Sequence, residues 1–226
     1  MLTNLVKAQV ESMLNRVMFP FYSKIQSDIL EVKKYYLNII KYFSLLIYPA
    51  MLILIVFGEE LVFILFGERW ELTIFPMKIL AVAVLVDVST SSYGLLFRSV
   101  GKPEYEMKVK LLITVLFYIP AVLVGIYLNG IIGVTFGILL TKLFSFFIAQ
   151  YILSKNFGIS YSDLWKSLKP AILSLLGTLI LIFLITNFFP NIYFIAKILL
   201  LLSIYFLISS LFLKNEIMKL KSLKNK

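Results

Sequence analysis

Long apolar runs alternate with short polar segments along almost the whole chain. A run of about 20 apolar residues is typical of a membrane-spanning helix, because a rise of about 1.5 Å per residue carries it across a hydrocarbon core about 30 Å thick. Glycines and prolines fall near the ends of these runs, where they punctuate helices. The pattern predicts an all-α, polytopic transmembrane bundle with spans at 36–57, 73–97, 107–128, 131–153, 170–189 and 192–213.

A further helix is expected over residues 2–21, and two interpretations of it stay open. Its apolar residues recur at three- and four-residue spacing, while Lys7, Glu11 and Asn15 fall on the opposite face. The helix either lies in the membrane interface or spans the membrane with its polar face turned into the protein. We favour the second interpretation, so the expected total is six to seven spanning helices.

Basic residues are concentrated in alternate polar segments. Most of the 22 lysines and arginines lie in 23–41, 98–110, 154–169 and the tail that begins at Lys214. This bias is expected when basic loops stay in the cytoplasm. The sequence therefore predicts a multi-pass protein of the cytoplasmic membrane with a cytoplasmic C-terminus.

The composition of the chain argues against several classes of protein and of functional site. The chain is 61% hydrophobic with a mean hydropathy of +0.95, which is beyond the range of ordinary soluble domains. Its net charge of +10 sits in alternate loops, so orientation in the membrane explains it better than nucleic-acid binding. The chain has no cysteine, which excludes disulfides, and no histidine, the commonest metal ligand and general base. We expect no metal, no cofactor and no nucleic-acid partner.

Several motifs follow one another in a fixed order over the first half of the chain. They are Phe19-Pro20 at a helix end, Pro49 within a span, GEELV from Gly58, LFGERW from Leu65 and LLFRSVGKP from Leu95. In this order they resemble the second half of the polysaccharide flippases, the O-antigen and polysaccharide transporters of the multidrug/oligosaccharidyl-lipid/polysaccharide exporter superfamily. The resemblance covers essentially the whole chain, and its motifs mark helix ends rather than chemistry.

The resemblance implies a fold of about fourteen transmembrane helices in two lobes, with two extra helices at the end. On that template, 1–226 is a single membrane domain. Residues 1–153 form most of the second lobe, and residues 154–226 give two additional helices and a basic cytoplasmic tail. The first lobe has no counterpart, so we expect the chain to be part of something longer. Because alternating access needs two lobes, a separate N-terminal lobe or self-association is an expected partner.

Two charges fall in the middle of spans. Asp87 precedes a run of hydroxyl residues, and Lys142 lies about 16 Å of helix from either end of its span, too deep to reach an interface easily. An intramembrane charge is costly unless it is paired or faces water. We therefore predict that Asp87 and Lys142 are neighbours on one internal cavity. The structural alternative is a neutral Asp87 among hydroxyls that join helices.

Four other residues are weaker candidates for a cavity, substrate or ion site. Lys7 and Glu11 are four residues apart, the spacing of an ion pair on one helix face, and Asn15 shares that face. Arg98 lies at an inner membrane boundary, where its guanidinium could receive a lipid pyrophosphate or simply set orientation. Glu104 and Glu106 alternate with lysines, which suggests ordinary solvated charge, and the Gly133-to-Gly137 spacing favours close helix packing.

The expected function is movement of a lipid-linked oligosaccharide across the membrane for surface polysaccharide synthesis, without covalent chemistry. No nucleotide-binding motif occurs in the sequence, so an ion gradient or the membrane potential is the expected driving force. Membrane lipids and the lipid-linked sugar are the expected partners. The alternatives are a membrane-embedded glycan polymerase or ligase, and a membrane subunit that does not itself transport.

Overall fold

The computed structural model describes Ser12, Tyr22, Ile25, 28–188 and 193–224, with side chains through Lys214. Within these residues all regular structure is helical, which confirms the all-α class, while the helix expected over 2–21 lies almost wholly outside them. The elements are α1 Ile29–Val56, α2 Gly58–Phe66, a 3₁₀ turn Glu68–Thr73, α3 Ile74–Val88, α4 Tyr93–Ser99, α5 Pro103–Ile113, a π turn Thr114–Tyr118, α6 Ile119–Phe157, α7 Tyr161–Phe188 and α8 Phe194–Lys224.

The described part of the chain has five helical segments that are long and apolar enough to cross a membrane. They are Ile29–Val56, Glu68–Ser99, Pro103–Phe157, Tyr161–Phe188 and Phe194–Lys214. The third is 55 residues long, far more than the roughly 20 residues that one crossing needs. This chain is a multi-pass membrane protein.

The longest segment reverses direction in its middle. At Asn129 (φ −155°, ψ 34°) and Gly130 (φ 52°, ψ −131°) the backbone leaves the helix, and the positive φ of Gly130 is one that side chains disfavour. Phe117 and Phe144 lie on opposite sides of this break, yet their rings stack with centroids 4.8 Å apart. The segment is therefore a hairpin of two antiparallel arms, 103–128 and 131–157, which matches the two spans predicted there.

Small residues let the two arms of the hairpin touch backbone to backbone. A Cβ added to Gly125 would lie 2.6 Å from the carbonyl carbon of Gly133, and one added to Gly137 would lie 2.7 Å from the carbonyl oxygen of Ala121. Contacts this short leave no room for a side chain. The predicted packing role of the Gly133-to-Gly137 spacing is confirmed, and the contact lies within one chain.

Helix α1 is the most enclosed of the described spans. The Asp28 carboxylate caps its first turn by accepting hydrogen bonds from the backbone amides of Leu30 and Glu31, at 2.9 and 3.1 Å. Three clusters of buried apolar side chains run along α1 and join it to α3, α4, α7 and α8. The apolar face of α1 therefore holds the bundle together.

Polar contacts fasten the basic ends of α1, α6 and α7 to one another. Lys33 lies 2.6 Å from Asp163 and donates to the carbonyl of Gly158 at 2.8 Å, while Gln150 donates to the carbonyl of Ile159 at 2.9 Å. Gly158 has φ 62°, the left-handed conformation that ends a helix. This junction fixes where α7 starts relative to α1.

The last two helices pack on each other through serines as well as apolar residues. The Ser209 hydroxyl of α8 donates to that of Ser174 in α7 at 3.0 Å, and both side chains are buried. Such hydrogen bonds stabilise helix pairs where water is absent. The division of the chain into 1–153 and 154–226 stays a prediction.

Replacing Gly133 by alanine should destabilise the protein, because the new methyl group would collide with the Gly125 backbone. We expect a loss of about 1–3 kcal/mol, the cost typical of overpacking. Gly177→Ala is the matched control, since its Cβ would meet only the mobile end of Ile208 at 3.1 Å. Thermal unfolding of the detergent-purified proteins, followed by circular dichroism, measures the stability of both variants. Equal apparent melting temperatures would contradict the hairpin contact.

Candidate functional site

The second span is interrupted one residue after Asp87. Helix α3 ends at Val88 and α4 begins at Tyr93, and the four residues between them all carry hydroxyl groups. In this interval the amides of Ser89 and Thr90 bond to carbonyls three residues back, at 3.1 and 3.3 Å, instead of four. Serine and threonine side chains compete for backbone hydrogen bonds and so weaken a helix. The hydroxyl run therefore places a turn beside an intramembrane carboxylate.

The backbone of the hairpin's first arm also departs from the regular α-helix. The π turn over Thr114–Tyr118 closes with a bond from the Ile119 amide to the Thr114 carbonyl, five residues back. Pro120 follows immediately and has no backbone N–H, which disturbs the regular helical pattern. Turns of this kind occur frequently at functional sites.

Asp87 and Lys142 form an ion pair between the interrupted span and the second arm of the hairpin. The Asp87 Oδ1 and Lys142 Nζ atoms are 3.1 Å apart, and the side chains are 16% and 38% exposed. The predicted proximity of these two residues is confirmed. Pairing lowers the cost of holding each charge among apolar helices.

The pair lies on the wall of a cavity of about 340 Å³, which we call the polar cavity. Its lining combines the ion pair with a third charged residue, hydroxyl groups from both irregular segments and a few apolar side chains. The full set is Asp87, Thr90, Ser91, Tyr93, Lys110, Ile113, Thr114, Tyr118, Ile138, Thr141, Lys142 and Ser145. A cavity with two cations, one carboxylate and many hydroxyls can bind a polar or anionic group inside the bundle.

A second charged cluster adjoins the polar cavity through Lys110. The Glu106 carboxylate lies 2.5 Å from Lys110 Nζ and 2.9 Å from Arg98 Nε, and its side chain is only 9% exposed. Gly94 makes room for it, since a Cβ there would collide with the carboxylate. The expectation that Glu106 is ordinary solvated charge was wrong. It is a buried bridge between α4 and α5, and only its spacing of four residues from Lys110 signals a pair in the sequence.

The structure gives Arg98 a local role. Its Nε contacts Glu106 and donates to the Gly94 carbonyl at 3.3 Å, and Arg98 is not part of the polar cavity lining. Its binding to a lipid pyrophosphate stays a prediction. Lys7, Glu11 and Asn15 lie outside the described residues, so their expected place on a cavity also stays a prediction.

Comparison with known proteins gives a family match over the start of the chain. Residues 1–75 match the family model described as "Polysaccharide biosynthesis protein". No solved structure matches the chain.

Two curated relatives extend the similarity over most of the chain. One is the "Lipopolysaccharide biosynthesis protein WzxC" of Escherichia coli strain K12, 28% identical over 169 residues, which are 74% of this chain and 34% of that protein. The other is an "Uncharacterized membrane protein in cps region" of Klebsiella pneumoniae, 24% identical over 66% of this chain and 30% of that protein. The matched part spans about a third of the length of these relatives. These matches confirm the resemblance to polysaccharide-biosynthesis membrane proteins.

Glu106→Gln should destabilise the protein, because it leaves Arg98 and Lys110 facing each other without a negative charge between them. We expect a loss of about 1–3 kcal/mol, typical of a buried charged hydrogen-bonding group that loses its partner. Glu104→Gln is the matched control, since Glu104 is exposed in the same first turn of α5. Thermal unfolding in detergent compares the two. A Glu106 variant no less stable than the Glu104 variant would show that the bridge contributes nothing.

Proposed function

We propose, on the premise of its similarity to polysaccharide-biosynthesis membrane proteins, that this chain is part of a transporter that flips a lipid-linked oligosaccharide across the membrane. The proposed product is the unaltered substrate on the other side of the bilayer. The chain makes or breaks no covalent bond in this proposal.

The observation that carries the proposal is the ion pair on the wall of the polar cavity. A carboxylate and an ammonium group 3.1 Å apart among spanning helices are expensive to maintain, and intramembrane charges of this kind usually mark a path for substrates or ions. The pair also sits beside an interrupted span, and transporters commonly place interrupted helices at their binding sites.

The lining of the cavity fits the headgroup of such a substrate. Lys110 and Lys142 supply ammonium groups that attract phosphate oxygens, and hydroxyls such as those of Thr90, Ser91 and Thr114 can exchange hydrogen bonds with sugar hydroxyls. The lipid tail would stay in the bilayer, where it needs no polar partner. An ion gradient or the membrane potential would supply the driving force.

The partner in this proposal is a second lobe. The matched segment is about a third of the length of the curated relatives, and alternating access requires two bodies that move around a shared site. A separate N-terminal lobe or a second copy of this chain would supply the facing wall of the cavity. The protein would work in a cytoplasmic membrane with its basic loops and C-terminus in the cytoplasm.

The test is transport of a fluorescent lipid-linked oligosaccharide in proteoliposomes, measured by its protection from an impermeant quencher. Asp87→Asn and Lys142→Gln should each slow flipping on the order of tenfold, because each removes one half of the ion pair from the wall of the polar cavity. The double variant should recover part of the loss, as coupled residues do. Lys197→Gln, which removes another lysine within a span but not from the cavity, should leave the rate unchanged.

The same assay separates the proposal from its rivals. A glycan polymerase or ligase would change the mass of the oligosaccharide, which mass spectrometry of the recovered lipid detects. If Asp87→Asn and Lys197→Gln flipped the substrate equally fast, the polar cavity would not be the route. If no quencher protection developed with the native chain, alone or with a second lobe, a non-transporting subunit would be the better description.

A further inference from the structure

A second concavity lies between the two arms of the hairpin, near the ends that carry basic residues. We call it the hairpin groove; its volume is about 300 Å³. The first arm contributes Tyr105, Lys108, Val109 and Leu112, and the second contributes Ile148, Tyr151, Ile152, Lys155 and Asn156. None of these residues lines the polar cavity, so the hairpin presents two separate surfaces.

The groove combines an apolar floor with a cationic rim. Val109, Leu112, Ile148 and Ile152 supply only hydrocarbon. Lys108 and Lys155 are both exposed, one on each arm, and they bring two positive charges to the same opening.

These two lysines are uncompensated within the part of the chain that the structure describes. Neither makes a hydrogen bond or an ion pair there. Lys110, two residues from Lys108 on a different face of the same helix, is by contrast paired with Glu106. Two unpaired ammonium groups above a hydrocarbon floor suit a ligand whose negative charge and apolar chain are joined.

The rim of the groove carries a tyrosine from each arm. The Tyr105 ring stacks on Phe97 with centroids 5.5 Å apart and planes 12° apart, and Tyr151 is 64% exposed on the opposite arm. Tyrosines are enriched at the level of lipid headgroups. We therefore expect the charged end of the groove at the level of the headgroups and its apolar floor deeper along the hairpin.

We propose that the hairpin groove binds an anionic phospholipid from the leaflet that faces the basic loops. Its phosphate lies between Lys108 and Lys155, and one acyl chain follows the floor formed by Val109, Leu112, Ile148 and Ile152. The lipid packs against both arms of the hairpin and so stabilises their association. This site does not depend on the transport function, because it shares no residue with the polar cavity.

The test is native mass spectrometry of the full chain in a mild detergent, titrated with dioleoylphosphatidylglycerol or with dioleoylphosphatidylcholine, which has the same acyl chains. The native chain should bind phosphatidylglycerol more tightly than phosphatidylcholine. Lys108→Gln combined with Lys155→Gln should weaken phosphatidylglycerol binding on the order of tenfold, since it removes two charged hydrogen-bond donors.

The matched control is Lys166→Gln combined with Lys169→Gln, which removes the same charge from exposed positions on α7 outside the groove. This control should bind phosphatidylglycerol like the native chain. A second variant, Ile148→Trp, fills the floor without changing charge and should also weaken binding. Helix content and elution volume show that each variant is folded.

Three results would overturn the proposal. Equal losses in the two double-glutamine variants would mean general attraction to surface charge. Equal binding of the two lipids would mean an apolar groove without headgroup recognition. A native chain that elutes as a dimer, and as a monomer once Ile148 is replaced by tryptophan, would assign the groove to a second copy of the chain.

Discussion

A polar group left unpaired in the hydrocarbon of a membrane costs several kcal/mol, and this cost organises the bundle. Each spanning segment must satisfy its own backbone, and each buried charge must find a counter-charge. Asp87 meets Lys142, and Glu106 meets both Arg98 and Lys110. Because the Asp87–Lys142 and Arg98–Glu106 pairs each connect two helices, the same constraint that makes the charges expensive also joins the helices.

Two stretches of irregular backbone lie beside these charges. The turn that follows Asp87 and the π turn over Thr114–Tyr118 both contribute to the polar cavity. Irregular backbone inside a membrane is tolerated where it is buried in protein or lines a water-filled space. The hydroxyls of these segments serve twice, since they satisfy or compete with local backbone groups and also face the cavity. At these two positions, helix interruption and cavity chemistry are thus one feature of the sequence.

The degree of enclosure differs sharply between parts of the bundle. Helix α1 is buried along much of its length by α3, α7 and α8, whereas the hairpin over Pro103–Phe157 is the most exposed of the described spans. The hairpin meets the rest of the protein through the Asp87–Lys142 and Arg98–Glu106 pairs and through packing against α3 and α4. In the two proposals, the polar surface of this exposed hairpin contacts a second lobe and its groove binds a lipid of the bilayer.

Much of this arrangement follows from the sequence, for identifiable reasons. Span positions follow from apolar runs, and the reversal at Asn129-Gly130 follows from a polar residue beside a glycine. The position of Asp87 and Lys142 in the middle of their spans was enough to predict the pair, because a lysine at mid-membrane depth has few partners within reach. Glu106 was misjudged because its burial depends on Gly94, a residue of another helix, and no local pattern reveals that contact. The π turn was missed for a similar reason, since a proline near a helix start has several structural outcomes.

The most direct test of the Asp87–Lys142 pair is a cross-link between positions 87 and 142 in native membranes. The chain has no cysteine, so Asp87→Cys with Lys142→Cys introduces the only two thiols. A bifunctional thiol reagent about as long as the two side chains should join them, and mass spectrometry of the cleaved chain should recover the linked peptides. Asp87→Cys with Lys197→Cys should give no such product. Failure to link 87 with 142, or equal linking of both pairs, would contradict a cavity built around this ion pair.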